Sequence, residues 1–176
     1  MKLFHVITTA ILLSLVLLLP VNASAKEFRG HISGTQFPTA YDANDDGRLA
    51  VAHEGNGRFT HLGKVTARGM AETLGTTENP ACSEVEIGLE GFYFHLILTA
   101  ANGDMLFTEQ SALDACWNFL DASWWGVFHM QITGGSGRFA GATGQFDCDI
   151  AGYPLFIPDN NPFAYTWEGD CYGELE

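Results

Sequence analysis

The sequence predicts an all-β fold, a closed antiparallel up-and-down barrel of about eight strands, with a β-sandwich as the alternative. Three observations predict it. Glycine, threonine and aromatic residues recur throughout the chain, no stretch keeps an apolar period of about 3.6 residues, and glycine-rich turns separate segments of alternating polarity. A chain that is 47% apolar can bury enough surface to fold, which excludes a disordered protein.

Nine segments are expected to be strands because they are rich in β-branched or aromatic residues and end at turn residues. In chain order they are Lys26–Gln36, Arg48–Glu54, Gly57–Leu74, Glu84–Leu89, Phe92–Ala100, Met105–Ser111, Trp124–Thr133, Arg138–Ile150 and Phe163–Tyr172. Tight turns are expected at Gly55-Asn56-Gly57, Asn102-Gly103-Asp104 and Gly134-Gly135-Ser136-Gly137, since these residue types adopt the positive φ that hairpins need. Asp114–Leu120 is the only segment for which a short helix is expected.

Alternation along two of these strands indicates which side chains enter the barrel. After Gly57, Phe59 and His61 share one face, whereas Lys64 and Arg68 lie on the opposite, solvent-facing side. On the second strand the inner face is formed by Trp124, Gly126, Phe128, Met130 and Ile132. An inward histidine is more often a packed core group than a catalytic base, and both interpretations of His61 stay open. A small barrel can hold one small ligand. Five residues are candidates for the lining of such a cavity: Phe59, His61, Trp124, Phe128 and Phe139.

The segment from Phe92 to Leu98 is apolar on both faces. Alternate residues place Phe92, Phe94, Leu96 and Leu98 on one face and Tyr93, His95 and Ile97 on the other. Because a barrel wall buries only one face, the second set would expose an apolar stripe in a monomer. The stripe predicts a symmetric homo-oligomer, unless the segment Asp114–Leu120 covers it within the same chain.

The N-terminus predicts export. Lys2 precedes an apolar run from Val6 to Leu19, and Ala23-Ser24-Ala25 is a small-residue cleavage pattern, so residues 1–25 are expected to be a signal peptide and residues 26–176 one domain. A membrane anchor is the alternative, but the run is shorter than the roughly 20 residues of a span. The net charge is −13, and −14 after loss of Lys2. Nucleic acid is excluded because its phosphates are bound mainly by Lys and Arg. The expected location is secreted or periplasmic, with no membrane span in the mature protein.

All four cysteines follow the predicted cleavage site, which in an exported chain indicates disulfides. Cys148 and Cys171 are equidistant from a turn-rich loop at 158–162, and residues equidistant from a hairpin turn face each other across the two strands. We therefore expect a Cys148–Cys171 bridge and, from the remaining pair, a Cys82–Cys116 bridge. A metal site is the alternative, but no two cysteines have the close spacing of a zinc motif.

Residues 134–144, GGSGRFAGATG, resemble the G-G-[ST]-G-x-F-x-G-A-x-G signature of allene oxide cyclase-like barrels, a group that includes plant dirigent proteins. Thr60-His61-Leu62-Gly63 and Ala101-Asn102-Gly103-Asp104 also resemble segments of uncharacterised exported bacterial proteins that carry this signature. The resemblance implies an eight-stranded barrel, often a trimer, whose plant members guide cyclisation or radical coupling. None of the functional residues of those proteins matches a residue of this chain one by one.

The segment Asp42-Ala43-Asn44-Asp45-Asp46-Gly47 places oxygen ligands at the alternate positions of a calcium loop. The ligands would be Asp42, Asn44 and Asp46, with the carbonyl of Arg48 and the carboxylate of Glu54. Glu54 comes one place late, and the position that calcium loops fill with glutamate holds His53, a poor calcium ligand. Calcium is thus the only cofactor that the sequence suggests, and an acidic turn between the first two strands is the alternative.

Three functions fit these features. The first is a noncatalytic exported module that binds a small apolar or aromatic ligand or a protein partner. The second is an allene oxide cyclase-like or dirigent-like enzyme that uses the barrel cavity, and the third is a calcium-dependent structural surface protein. A noncatalytic protein is expected, because no serine, histidine and acidic residue has the spacing of a known catalytic motif.

Overall fold

The computed structural model describes residues 24–42, 47–155 and 164–176. These residues form eight strands and one short 3₁₀ helix, Gly137–Phe139. The strands are β1 (Lys26–Pro38), β2 (Val51–Phe59), β3 (Gly63–Thr77), β4 (Glu86–Ala100), β5 (Met105–Asn118), β6 (Trp124–Gly135), β7 (Gly144–Pro154) and β8 (Tyr165–Leu175). Each strand pairs antiparallel with the next, and β1 also pairs with β8. The chain is therefore a closed up-and-down barrel, as the sequence predicted.

The two ends of the barrel differ. Connections 60–62, 101–104 and 136–143 close one end, here called the turn end, together with the first residues of β1 and the last of β8. The longer connections 39–50 and 78–85, and the turn 119–123, leave from the opposite end, here called the loop end. Phe139, in the 3₁₀ helix, is buried at the turn end.

The turn expected at Gly55-Asn56-Gly57 is wrong, because these residues lie inside β2. Gly55 does not form a turn but leaves space for a side chain, because a Cβ at this position would lie 2.9 Å from the ring of Trp167. The hairpin instead turns at residues 60–62, where His61 has a φ of 65°. The predicted strand Gly57–Leu74 is thus split between β2 and β3. The inward placement of His61 is also wrong, since the residue is exposed and its Nε2 lies 3.1 Å from the carbonyl oxygen of Glu27.

The expected helix Asp114–Leu120 is wrong as well. Residues 114–118 continue β5, where Ala115 lies opposite Gly126 and Trp117 opposite Trp124. A seven-residue segment gains few helical hydrogen bonds, whereas this pairing satisfies the backbone along a neighbouring strand. The two strands expected at 84–89 and 92–100 are one strand, β4, and the strand expected from residue 138 begins only at Gly144.

The interior is filled by aromatic rings that lie against glycines of the neighbouring strands. A Cβ at Gly34 would lie 2.7 Å from the Trp167 ring, and one at Gly152 would clash with the Trp124 ring. Glycine weakens a strand but allows a ring to approach the backbone closely. The glycines within the strands therefore fit the large side chains of the core.

Both expected disulfides are present. Cys148 and Cys171 are directly opposite in the β7–β8 register, with Cα atoms 4.0 Å apart. Cys82 and Cys116 are bridged with a Cα separation of 5.6 Å, which fixes the connection 78–85 to β5. The Cys148–Cys171 bridge joins two neighbouring strands of the barrel. The Cys82–Cys116 bridge holds the connection 78–85 to the outside of β5.

Candidate functional site

The first candidate site is the barrel interior, where three of the five predicted lining residues meet. Phe59, Trp124 and Phe128 line a cavity of about 20 Å³, together with His53, Phe94 and Trp167. Phe139 is buried in the 3₁₀ helix and does not line the cavity, and His61 lies outside the barrel.

The size of this cavity decides what it can hold. A space of this size accommodates about one water molecule, whereas sites for small organic ligands usually measure about 300–1,000 Å³. The residues that the structure describes therefore fill the barrel with side chains. A ligand could enter only if several buried rings moved.

His53 is the one buried histidine among the described residues, and the sequence analysis did not place it inside. Its side chain is 8% exposed, and its ring lies 4.8 Å from that of Phe94 and 6.1 Å from that of Trp167. Burial lowers the pKa of His53 to about 4, because the apolar surroundings disfavour the charged ring. It shares a two-residue period with Phe59, which would have revealed its direction if β2 had been recognised as one strand.

Three buried polar atoms have no hydrogen-bond partner within the described parts of the chain: Gln110 Oε1, Trp124 Nε1 and Trp167 Nε1. The indole nitrogen of Trp124 lies against the wall at Gly152, where a Cβ would clash with it. The cavity that His53 lines is otherwise bounded by apolar and aromatic side chains and by the Cys148–Cys171 bridge.

A histidine on the outer wall has two carboxylate neighbours. Nδ1 of His129 lies 2.7 Å from Asp147, and Nε2 lies 3.4 Å from Asp114. The hydrogen bond to Asp147 is the main cause that raises the pKa of His129. Ser111 lies nearby, but its Oγ donates to the backbone carbonyl of His129 at 3.1 Å rather than to the ring. With both ring nitrogens facing carboxylates, His129 is not positioned to activate a serine.

The predicted calcium ligands are only partly described. Asn44 and Asp46 lie outside the described residues. Asp42 Oδ2 accepts a hydrogen bond of 2.8 Å from the Gly47 backbone, and Gly47 has a φ of 87°. Glu54 lies on the outer face of β2, with its carboxylate 3.6 Å from Arg68. Among the described residues, no group of three or more His, Cys, Asp or Glu side chains is arranged to hold a metal ion.

Thirteen large apolar side chains are exposed among the described residues, and two groups of neighbouring ones are considered as binding surfaces. Tyr93 and Ile97 of β4 are 63% and 41% exposed, which confirms that the stripe predicted on this strand faces outward, although the side chain of Phe92 lies outside the described part. The alternative cover, the segment Asp114–Leu120, does not lie over the stripe as a helix, because residues 114–118 are part of β5 in the wall. The second group lies at the loop end and comprises Val85, Phe119, Leu120 and Trp125.

No protein-family model matches the chain, and no curated protein matches it. Within the described residues, no helix is long and apolar enough to span a lipid bilayer. The function is therefore inferred from the barrel and its surfaces.

Proposed function

We propose that the protein is a noncatalytic exported binding module that contacts its partner through the outer wall of the barrel. The observation that carries this proposal is the group of large apolar side chains exposed at the loop end and along β4, outside a barrel that is filled with side chains. Exposed apolar patches on soluble domains often mark interaction sites. If these side chains were buried inside the barrel, packing of the core would explain them; their exposure instead indicates a contact with a partner.

Export is supported by the sequence and by the bridges. Residues 1–25 carry the features of a signal peptide, and two disulfides are typical of proteins that mature in an oxidising compartment. We place the mature protein in the periplasm or outside the cell.

The enzyme alternative, an allene oxide cyclase-like or dirigent-like activity, rests on the GGSGRFAGATG segment. It needs a cavity in which a reactive molecule is folded, and the cavity of about 20 Å³ does not favour it. A small-ligand carrier is disfavoured for the same reason. A calcium-dependent surface protein stays compatible with a filled barrel, since the predicted ligands Asp42 and Glu54 do not line the cavity.

Self-association through the β4 stripe is a second candidate. Tyr93, Ile97 and the neighbouring Met70 form an exposed apolar surface, and its burial is worth on the order of 25 cal/mol per Å² before the entropic cost of association. A trimer is the first expectation, because the resembling barrels are often trimers. The net charge of −14 opposes self-association at low salt.

Site-specific photo-crosslinking in the producing cells tests the proposed function. A photoreactive amino acid at Phe119 or Tyr93 should capture a protein partner, whereas the same residue at Asn102 of the turn end, the matched control, should not. Equal capture from all three positions, or no capture together with a small molecule that copurifies in stoichiometric amount, would contradict a role for the outer wall.

A further inference from the structure

We propose that the loop-end surface formed by Val85, Phe119, Leu120 and Trp125, here called the stapled patch, docks a cationic amphipathic segment of a partner protein. This inference rests on the proposed function and names the surface and the chemistry of the partner. The patch is distinct from the β4 stripe, from the barrel interior and from the acidic segment at 42–47.

The patch is held in place by covalent and hydrogen bonds. The Cys82–Cys116 bridge fixes the connection 78–85 to β5, and the backbone N–H of Phe119 donates to the carbonyl oxygen of Val85 at 3.0 Å. The indole of Trp125 donates to Glu86 Oε1 at 3.0 Å. Apolar groups held in a fixed position lose little entropy on binding and make effective anchors.

The exposed apolar surface of the stapled patch is not explained by packing within a monomer. Leu120 is 79% exposed at the tip of a turn whose backbone is secured by Asn118, which accepts a hydrogen bond of 2.8 Å from the Leu120 N–H. The Phe119 ring packs edge-on against Trp117, with ring centroids 5.5 Å apart, and Phe119 also lines an open groove of about 550 Å³ beside the connection 78–85. A groove beside projecting apolar side chains fits one face of a helix or an extended segment.

The negative charge around the patch predicts that the polar face of the partner segment is positively charged. Between Arg68 and Arg138 the chain has no lysine or arginine, and four glutamates lie at 78, 84, 86 and 90. Hydrogen bonds from Ser83 and Trp125 lower the pKa of Glu86, and those from Ser123 lower the pKa of Asp121, so both carboxylates stay ionised. Lysine or arginine side chains on the partner would complement them.

The same charges disfavour a lipid surface. Cellular membranes carry anionic lipids and attract basic segments, so the glutamates around the patch would be repelled by them. Leu49, in the connection 39–50, is also exposed and is preceded by Arg48. Leu49 is therefore the control, a second exposed leucine outside the stapled patch.

Fluorescence anisotropy with labelled peptides and the disulfide-intact mature protein tests the inference. The probe is a short helical peptide of leucine and lysine, and the comparison peptide replaces each lysine with glutamate. We expect the lysine peptide to bind, Leu120→Ser to weaken it about tenfold, and Leu49→Ser to leave it unchanged. Glu84→Gln should weaken binding and reduce its salt dependence. Because Leu120 is highly exposed, Leu120→Ser should keep the unfolding midpoint of the wild type.

Three results would overturn this inference: equal binding of the glutamate peptide, an equal loss in Leu49→Ser, or stronger binding to vesicles that contain phosphatidylserine than to the lysine peptide. If binding is lost in Tyr93→Ser but kept in Leu120→Ser, the stapled patch is rejected while the proposed function stands. If the peptide does not bind and neither Phe119 nor Tyr93 captures a partner, both are rejected.

Discussion

The burial of His53 makes the stability of the barrel depend on pH. The pKa of this ring falls from 6.5 to about 4 in the folded protein, because burial disfavours the charged form. In the unfolded chain the histidine binds a proton as the pH falls below its ordinary pKa, whereas in the folded chain it stays neutral. The free energy of unfolding should therefore decrease as the pH falls from about 7 to about 4, and this contribution should be constant below that window.

The magnitude follows from the difference between the two pKa values. Each pKa unit corresponds to about 1.4 kcal/mol, so the loss attributable to His53 is about 2 kcal/mol between pH 7 and pH 5 and about 3 kcal/mol in full. His53→Leu removes the titrating ring and keeps an apolar side chain against Phe94 and Trp167. At neutral pH the cost should be small, because the His53 ring packs against Phe94 and Trp167 and forms no side-chain hydrogen bond with a residue that the structure describes.

Urea unfolding, followed by tryptophan fluorescence at several pH values between 5 and 7, measures this difference. As the pH falls from 7 to 5, the free energy of unfolding of the wild type should decrease by about 2 kcal/mol more than that of His53→Leu. His129→Gln is the control, since the pKa of His129 is raised by Asp147. The stability that His129 contributes is present below about pH 6.5 and is lost as the pH rises through its folded pKa. This pH dependence is opposite in sign to that of His53. An equal acid loss in the wild type and in His53→Leu would refute the reasoning.

Three further predictions concern the bridges, calcium and assembly. Replacement of Cys148 and Cys171 by alanine should lower the free energy of unfolding by about 3 kcal/mol, from the loop that the bridge closes, and an unchanged urea midpoint would contradict this. Millimolar calcium should raise the thermal midpoint and Asp42→Ala should abolish the rise, so identical melting curves in calcium and in EDTA would reject the calcium loop. Light scattering should report a trimer whose population increases with salt and is lost in Ile97→Lys, whereas a monomeric mass at all salt and protein concentrations would exclude assembly through β4.

The closed barrel and the Cys148–Cys171 bridge could be predicted because each rests on local patterns, and the Cys82–Cys116 bridge then followed as the remaining pair. Cys148 and Cys171 flank a loop of turn residues symmetrically, and the β7–β8 register places them directly opposite. The inward face of β6 followed from simple alternation, since Trp124, Phe128 and Met130 are all buried. Such patterns depend on neighbouring residues in one strand or one hairpin, which a sequence displays directly.

The continuity of β2 through Gly55 and Gly57 could not be predicted, because the contact that explains Gly55 is made by a residue far away in the sequence. Gly55 leaves room for Trp167, which is more than a hundred positions away in the chain, and in the sequence the same glycine is indistinguishable from a turn residue. Once a turn is assumed there, His53 falls on a separate strand from Phe59 and its inward direction is hidden. The stapled patch was missed for a related reason, because the pairing of β5 with β6, not a local helix, places Phe119 and Leu120 at the loop end.

Native mass spectrometry of the mature protein purified from its own source tests most directly whether the outer wall, rather than the interior, is the binding surface. We expect the mass of residues 26–176 with two disulfides, alone or as a whole-number multiple, with no organic molecule bound to the barrel. A stoichiometric organic adduct that survives in Leu120→Ser, and that is lost when Phe128 is changed to alanine without loss of fold, would contradict the account.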